Sequence, residues 1–235
     1  MRVELQPAYI LHSRPFRDTS VIVECLTRDF GRISLLAKGG RSAKSKLRST
    51  LQPFVPLLVS WQGKAELKTL IGAEAESHPL PLQGNRLFSA LYLNEILVRL
   101  LPHQDTHPEI LHLYHLTLTD LTNPAVELEP VLRQFEFRLL EALGYGVDFD
   151  HDHQGRQLQA DGYYSFHCDQ GLVATQPSPD ELSFSGECLL AIGRSDFSKP
   201  LYLRSAKHLA RTVLQPHLGK KPLQSRALFR PRQQD

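Results

Sequence analysis

Five cations, Lys38, Arg41, Lys44, Lys46 and Arg48, fall within eleven residues whose other members are mostly Gly, Ser and Ala. The surrounding stretch, residues 30–65, holds no Asp or Glu. Such a run suits a polyanion: Lys and Arg attract a phosphate backbone and release its condensed counterions. Phosphate contacts position a nucleic acid without reading its bases, so weak sequence preference is expected. Arg14 and Arg17 precede this run, and Lys207, Arg211, Lys220, Lys221 and Arg226 follow much later as candidate members of the same surface. Single strands also need aromatic faces on which bases stack, and Tyr9, Phe16, Phe30 and Trp61 are the candidates, each equally suited to a core. The bland alternative for the basic run is a solvated surface loop.

Other groups of reactive side chains carry less. Asp150-His151-Asp152-His153 offers two imidazoles and two carboxylates, but a zinc site normally draws its ligands from two separated pairs, so no metal or other cofactor is expected. His112 and His115, three apart, meet the same objection. Ser45 lies beside Lys44 and Lys46, but an exposed cationic loop does not desolvate a lysine enough to make it a base. Gly39-Gly40 is too short for a phosphate cradle, and no common hydrolase, kinase or metalloprotease motif is present. No catalytic residue is assigned.

Charge is segregated along the 235 residues. The formal net charge of +2 resolves into +5 over 1–80, −10 over 81–182 and +7 over 183–235. Two basic ends around an acidic middle suggest that the ends share a surface while the middle faces something else. Cys25, Cys168 and Cys188 form no CxxC pair and are odd in number, which favours a reducing compartment over a disulfide framework. The N-terminal residues lack the apolar core of a secretory signal, and no apolar run reaches the ~18–20 residues of a membrane span. A soluble, cytoplasmic, nucleoid-associated protein is expected.

The elements that must position the cations come in two kinds. Before residue 80 the pattern alternates: Tyr9-Ile10-Leu11 opens a first strand, and Ser20–Leu26, Arg32–Lys38, Phe54–Trp61 and Glu66–Ala73 read as four more, with a short helix within Ser42–Leu51. Five strands with a helix between the third and fourth is the layout of an OB-fold barrel, with an SH3-like barrel as the lesser alternative. The prolines of His78–Pro81 mark a boundary, giving an N-terminal domain over 1–80 and a helical domain over 81–235. Helical spacing follows over Asn85–Leu101, Pro108–Leu121 and Val126–Leu143, read as one three-helix bundle. An irregular insertion near 146–180 includes a small hairpin around Asp169-Gln170-Gly171. Helices resume over Glu187–Ile192 and Leu203–Leu214, where Ala206, Leu209, Ala210 and Val213 form the buried stripe, before a basic tail from Lys220 to Gln234.

In this order, several blocks are similar to the RecO family of bacterial DNA repair and recombination mediators. They are Ala8-Tyr9-Ile10-Leu11 with Arg17-Asp18-Thr19-Ser20, then Thr27 to Arg32, then Leu36 to Arg41. Arg133-Gln134-Phe135-Glu136, Leu143-Gly144-Tyr145-Gly146 and His217 to Arg226 complete the set, which spans nearly the whole chain. The resemblance implies an OB-fold followed by a helical domain, binding of single- and double-stranded DNA, and annealing of complementary strands. It also implies assistance to RecA in replacing single-strand-binding protein, together with RecR. Many relatives carry a four-cysteine zinc site after the third helix, and those cysteine pairs are absent here.

Family members also bind the acidic C-terminal tail of single-strand-binding protein through the helical domain. Such a tail needs an apolar groove with a cation at its rim, and Arg133, Phe137 and Leu140 are the candidates. The competing assignment puts Phe135 and Leu140 in the core and pairs Arg133 with Glu129 or Glu136. Rival functions are an RNA-binding module, an adaptor acting through its helices alone, and an enzyme without a recognisable motif.

Overall fold

The computed structural model describes residues 1–177 and 182–229. The ends of the expected insertion and of the basic tail fall outside that range. Five strands, β1 (Arg2–Phe16), β2 (Ser20–Thr27), β3 (Gly31–Ala37), β4 (Leu57–Gln62) and β5 (Leu67–Ala75), form a closed barrel in the order β1-β2-β3-β5-β4. All pairings are antiparallel except β3 with β5, which runs parallel from Ser34↔Leu67 to Leu36↔Thr69. This is the OB-fold arrangement, with α1 (Lys46–Thr50) between β3 and β4.

The first strand starts at Arg2, well before the Tyr9 expected to open it. It serves two partners, pairing with β4 through its first half and β2 through its second. Irregularities between Val3 and Gln6 and between Ile10 and His12 let it bend from one to the other. Alternation fills the barrel: Ile10, Val23, Cys25, Ile33, Leu35, Val59 and Trp61 are fully buried, and Leu47 and Leu51 bring α1 onto them.

Beyond the barrel come α2 (Gly84–Leu100), α3 (Pro108–Thr122) and α4 (Leu128–Ala142). Next are the small sheet of β6 (Tyr163–His167), β7 (Gly171–Thr175) and β8 (Phe184–Ser185), then α5 (Gly186–Gly193), α6 (Pro200–Leu218) and a 3-10 helix, Gln224–Phe229. The packing falls into two compact units. One comprises Met1–Pro124 with the described residues from Lys221 onward, the other Ala125–Lys220.

The three-helix bundle expected from α2, α3 and α4 is therefore not formed. Helices α2 and α3 pack on the barrel, and α4 packs with α6. A buried polar chain explains the first pairing. Asn94 Nδ2 on α2 donates to the Leu11 carbonyl at 2.9 Å, and the Tyr114 hydroxyl on α3 donates to Asn94 Oδ1. Groups this deep require partners: Tyr114 finds one on α2, and Asn94 carries the chain on to the backbone of β1. Gly31 shows how closely the same unit packs: with φ at +61°, a Cβ there would sit 1.8 Å from the Asp105 carbonyl oxygen.

In the second unit the stripe Ala206, Leu209, Ala210 and Val213 of α6 is buried as its spacing requires. The loop before the small sheet is held by Asp152. Its carboxylate accepts from the amides of Gln154 and Arg156 and from the Arg156 guanidinium, all at 2.9–3.0 Å. Among the described residues, no three His, Cys, Asp or Glu side chains are placed to share a metal ion. No described helix is long and apolar enough to cross a membrane.

Candidate nucleic-acid interface

The connection from β3 to α1 folds back on the turn between β1 and β2. The Arg41 amide donates to the Thr19 carbonyl at 2.8 Å, and the Arg41 guanidinium reaches the Arg17 carbonyl at 3.4 Å. Successive turns, Gly40 N–H to Ala37 O and Ser42 N–H to Gly39 O, keep the connection short and stiff. Gly40 is needed at its base, because a Cβ there would meet Val21 Cγ1 at 2.8 Å and the Ala37 carbonyl at 3.2 Å.

A notch of about 270 Å³ opens beside it, walled by Ser13, Val21, Gly40, Arg41, Arg48 and Gln52. Gln52 Nε2 donates to the Arg48 carbonyl at 2.7 Å, fixing the end of α1 that presents Arg48. Arg14, Arg17, Lys38, Arg41, Lys44, Lys46 and Arg48 are all exposed, and among the described residues no ion pair ties any of them to a carboxylate. Their charge is available to an outside anion. This is what a phosphate-binding surface requires and what a salt-bridged structural loop lacks.

The later candidates divide. Lys207 is paired with Glu129 at 2.6 Å, so its charge is already met within the second unit. Arg211 and Lys220 are exposed in that unit, while Lys221 and Arg226 are exposed in the first. Of the proposed stacking platforms, Tyr9 and Trp61 are buried at 3% and 0% exposure, with faces unavailable to bases. Phe30 packs edge-on against Trp61 at 5.1 Å. Phe16 is half-buried at the cationic end of the barrel, with the Arg17 guanidinium 5.3 Å above its ring.

The second unit contains a groove of about 730 Å³ between α4, the loop after it and α5. Phe137, Phe149 and Phe197 supply its apolar wall, Phe137 and Phe149 meeting edge to face at 5.4 Å. Of the three residues expected to form a tail site, only Phe137 lines it. Leu140 is fully buried, and Arg133, 6% exposed, pairs with Glu136 at 2.8 Å one turn along α4. The rim cations are Arg138 and Arg194, which the sequence pattern did not single out. The signal for Arg138 was its position next to Phe137; Arg194 follows α5 and becomes adjacent only on folding. Acidic groups also border the groove. Burial pushes the Asp148 carboxyl up, but the amides of Asp150 and His151 and the His151 ring outweigh that and hold it below the ordinary range.

Comparison with known proteins gives this geometry its family. The model for "Recombination protein O N terminal" matches residues 1–78, and that for "Recombination protein O C terminal" matches residues 81–227. The chain belongs to the RecO family. It is 49% identical to DNA repair protein RecO of Cellvibrio japonicus, covering 98% of both chains. Identity is 44% to the RecO of Glaesserella parasuis, over 95% of this chain and 94% of that one, and 42% to the RecO of Aliivibrio fischeri, over 99% and 98%. A general role in DNA repair and recombination goes with RecO membership. The two RecO models meet where strands give way to helices, whereas the packing units divide after Pro124.

Proposed function

We propose that the protein is a non-enzymatic DNA-binding mediator of repair and recombination. It holds single- and double-stranded DNA on the cationic end of the barrel and promotes annealing of complementary strands. The observation that carries the reading is the set of seven exposed Arg and Lys side chains at one end of a closed OB barrel, none ion-paired among the described residues. Neutralising phosphates on two strands at once lowers the repulsion that slows their pairing. The Phe-lined groove of the second unit, with Arg138 and Arg194 at its rim, suits an acidic peptide ending in an apolar residue, as in the tail of single-strand-binding protein. Docking there brings the barrel to coated DNA, where, with RecR, it helps RecA load.

A salt titration of a labelled single-stranded oligodeoxynucleotide tests the reading. Affinity should fall steeply with salt, and replacing Lys38, Arg41, Lys44 and Lys46 by Ala should flatten the slope by up to about 3, at ~0.7 for each phosphate no longer neutralised. A slope identical in wild type and variant refutes the assigned surface. Matched RNA and an acidic tail peptide are the companion probes, and tighter binding to RNA than to DNA would favour the rival module.

A further inference from the structure

The last described residues fold with the first unit, and a two-residue device on α2 holds them there. Glu95 and Arg99, one helical turn apart, divide the work. The Glu95 carboxylate accepts from the Gln224 amide at 2.9 Å, the Ser225 amide at 2.9 Å and the Ser225 hydroxyl at 2.6 Å. Arg99 donates to the Lys221 carbonyl and, at 2.8 Å, to the Pro222 carbonyl, and pairs with Glu95 itself. Carboxylate thus meets the free amides that open the 3-10 helix, and guanidinium meets the carbonyls just before it. Phe229 adds an edge-on contact with Phe88 at 5.8 Å.

The hydrogen bonds that Glu95 and Arg99 make to the segment all reach backbone or Ser225. The side chains of Lys221 and Arg226 therefore stay exposed while their backbone is fixed. The segment borders a groove of about 560 Å³ that Leu11 and His12 of β1 also line. Ser13, the next residue of that strand, walls the notch that holds Arg41 and Arg48. The groove and the notch thus share β1, on which His12 and Ser13 are consecutive and both exposed.

We infer that Glu95 and Arg99 are positioning residues that fix the C-terminal basic segment beside β1, making Lys221 and Arg226 part of the nucleic-acid surface begun at Arg14, Arg41 and Arg48. The functional half of this statement rests on the reading proposed above; the clamp itself does not.

The full chain is compared with Glu95→Gln, with Lys221→Ala/Arg226→Ala and with the triple variant, by amide exchange at Gln224 and Ser225 and by the salt slope for a labelled single-stranded oligodeoxynucleotide. Gln keeps one acceptor oxygen where three donors need two. Exchange at both amides should accelerate about tenfold or more, the factor expected when a charge-assisted hydrogen bond is removed. Lys221→Ala/Arg226→Ala, which alters only exposed side chains, should lower the slope by about 1.4. Glu95→Gln should lower it as well, and the triple variant no further than the double. Removing a carboxylate strengthens DNA binding by charge alone, so weaker binding in Glu95→Gln carries the sign of lost positioning.

Unchanged exchange in Glu95→Gln overturns the clamp whether or not the protein binds DNA. Faster exchange with a wild-type slope, or a wild-type slope in Lys221→Ala/Arg226→Ala, overturns the functional half. A wild-type chain that ignores the oligonucleotide defeats the proposed function, and the functional half with it, while the exchange comparison still decides the clamp.

Discussion

The Tyr9 hydroxyl lies 2.6 Å from Nδ1 of His115, joining β1 to α3 through two side chains more than a hundred positions apart in the chain. The Tyr9 ring also meets Tyr114 edge to face at 5.1 Å, and Tyr114 continues through Asn94 to the backbone of β1. An aromatic that looks like a stacking platform in the sequence is thus part of the joint between barrel and helices. Burial, with a smaller contribution from the Glu76 carboxylate, pushes its phenol up to about 12.

Tyr9→Phe tests that assignment. Losing one hydroxyl partner should cost about 1 kcal/mol of stability, read by denaturant unfolding, while oligonucleotide affinity stays at the wild-type value. Alkali gives a second reading. The folded phenol binds its proton more tightly than an unfolded one of ordinary value 10.0, so this stabilisation is complete below that pH and is lost as pH rises through about 12. The variant should lack that part of the alkaline decline.

Gly40→Ala probes the cationic connection without touching a charge. The new methyl would press on Val21 Cγ1 and the Ala37 carbonyl, and overpacking of this kind costs about 1–3 kcal/mol. Displacing the connection moves Arg41 from the notch, so DNA affinity should fall although every Lys and Arg remains. Wild-type affinity in a folded Gly40→Ala protein would mean that the cations act from anywhere in a mobile loop.

Arg133 and Arg138 should behave in opposite ways. Arg133→Ala removes a buried guanidinium 2.8 Å from the Glu136 carboxylate and should lower the melting temperature, because truncating one member of a buried pair is destabilising. Arg138→Ala removes an exposed rim cation and should leave the melting temperature in place while weakening capture of an acidic, apolar-ended peptide in a fluorescence assay. Equal peptide binding by wild type and Arg138→Ala would remove that residue from the rim.

Much of the fold was readable because its signals are local. The alternation of Val21, Val23 and Cys25 and of Ile33, Leu35 and Ala37 gives strands, and the 3–4 spacing in α6 gives its buried stripe. What escaped depends on contacts remote in sequence. Strand β1 bends between two partners, so its start at Arg2 is not recognisable from Tyr9-Ile10-Leu11. Helix α2 is apolar on most sides, which announces burial but not by what; Asn94, bonded to both Leu11 and Tyr114, decides that, and nothing in the sequence marks Asn94 as structural. At the candidate site, a run of cations was visible as composition. Which are already spoken for, as Lys207 is by Glu129, became evident only once the chain was folded.

The bond from Ser225 to Glu95 spans 130 positions. A nascent chain leaving the ribosome makes its barrel strands early, yet the piece that finishes this unit is translated well over a hundred residues after the helix that receives it. Until then the patch of α2 that receives it stays uncovered, and a product cut short before Lys221 would reach the cell with that seam open. Quality control by proteases should therefore single out truncated copies even when their barrels are intact.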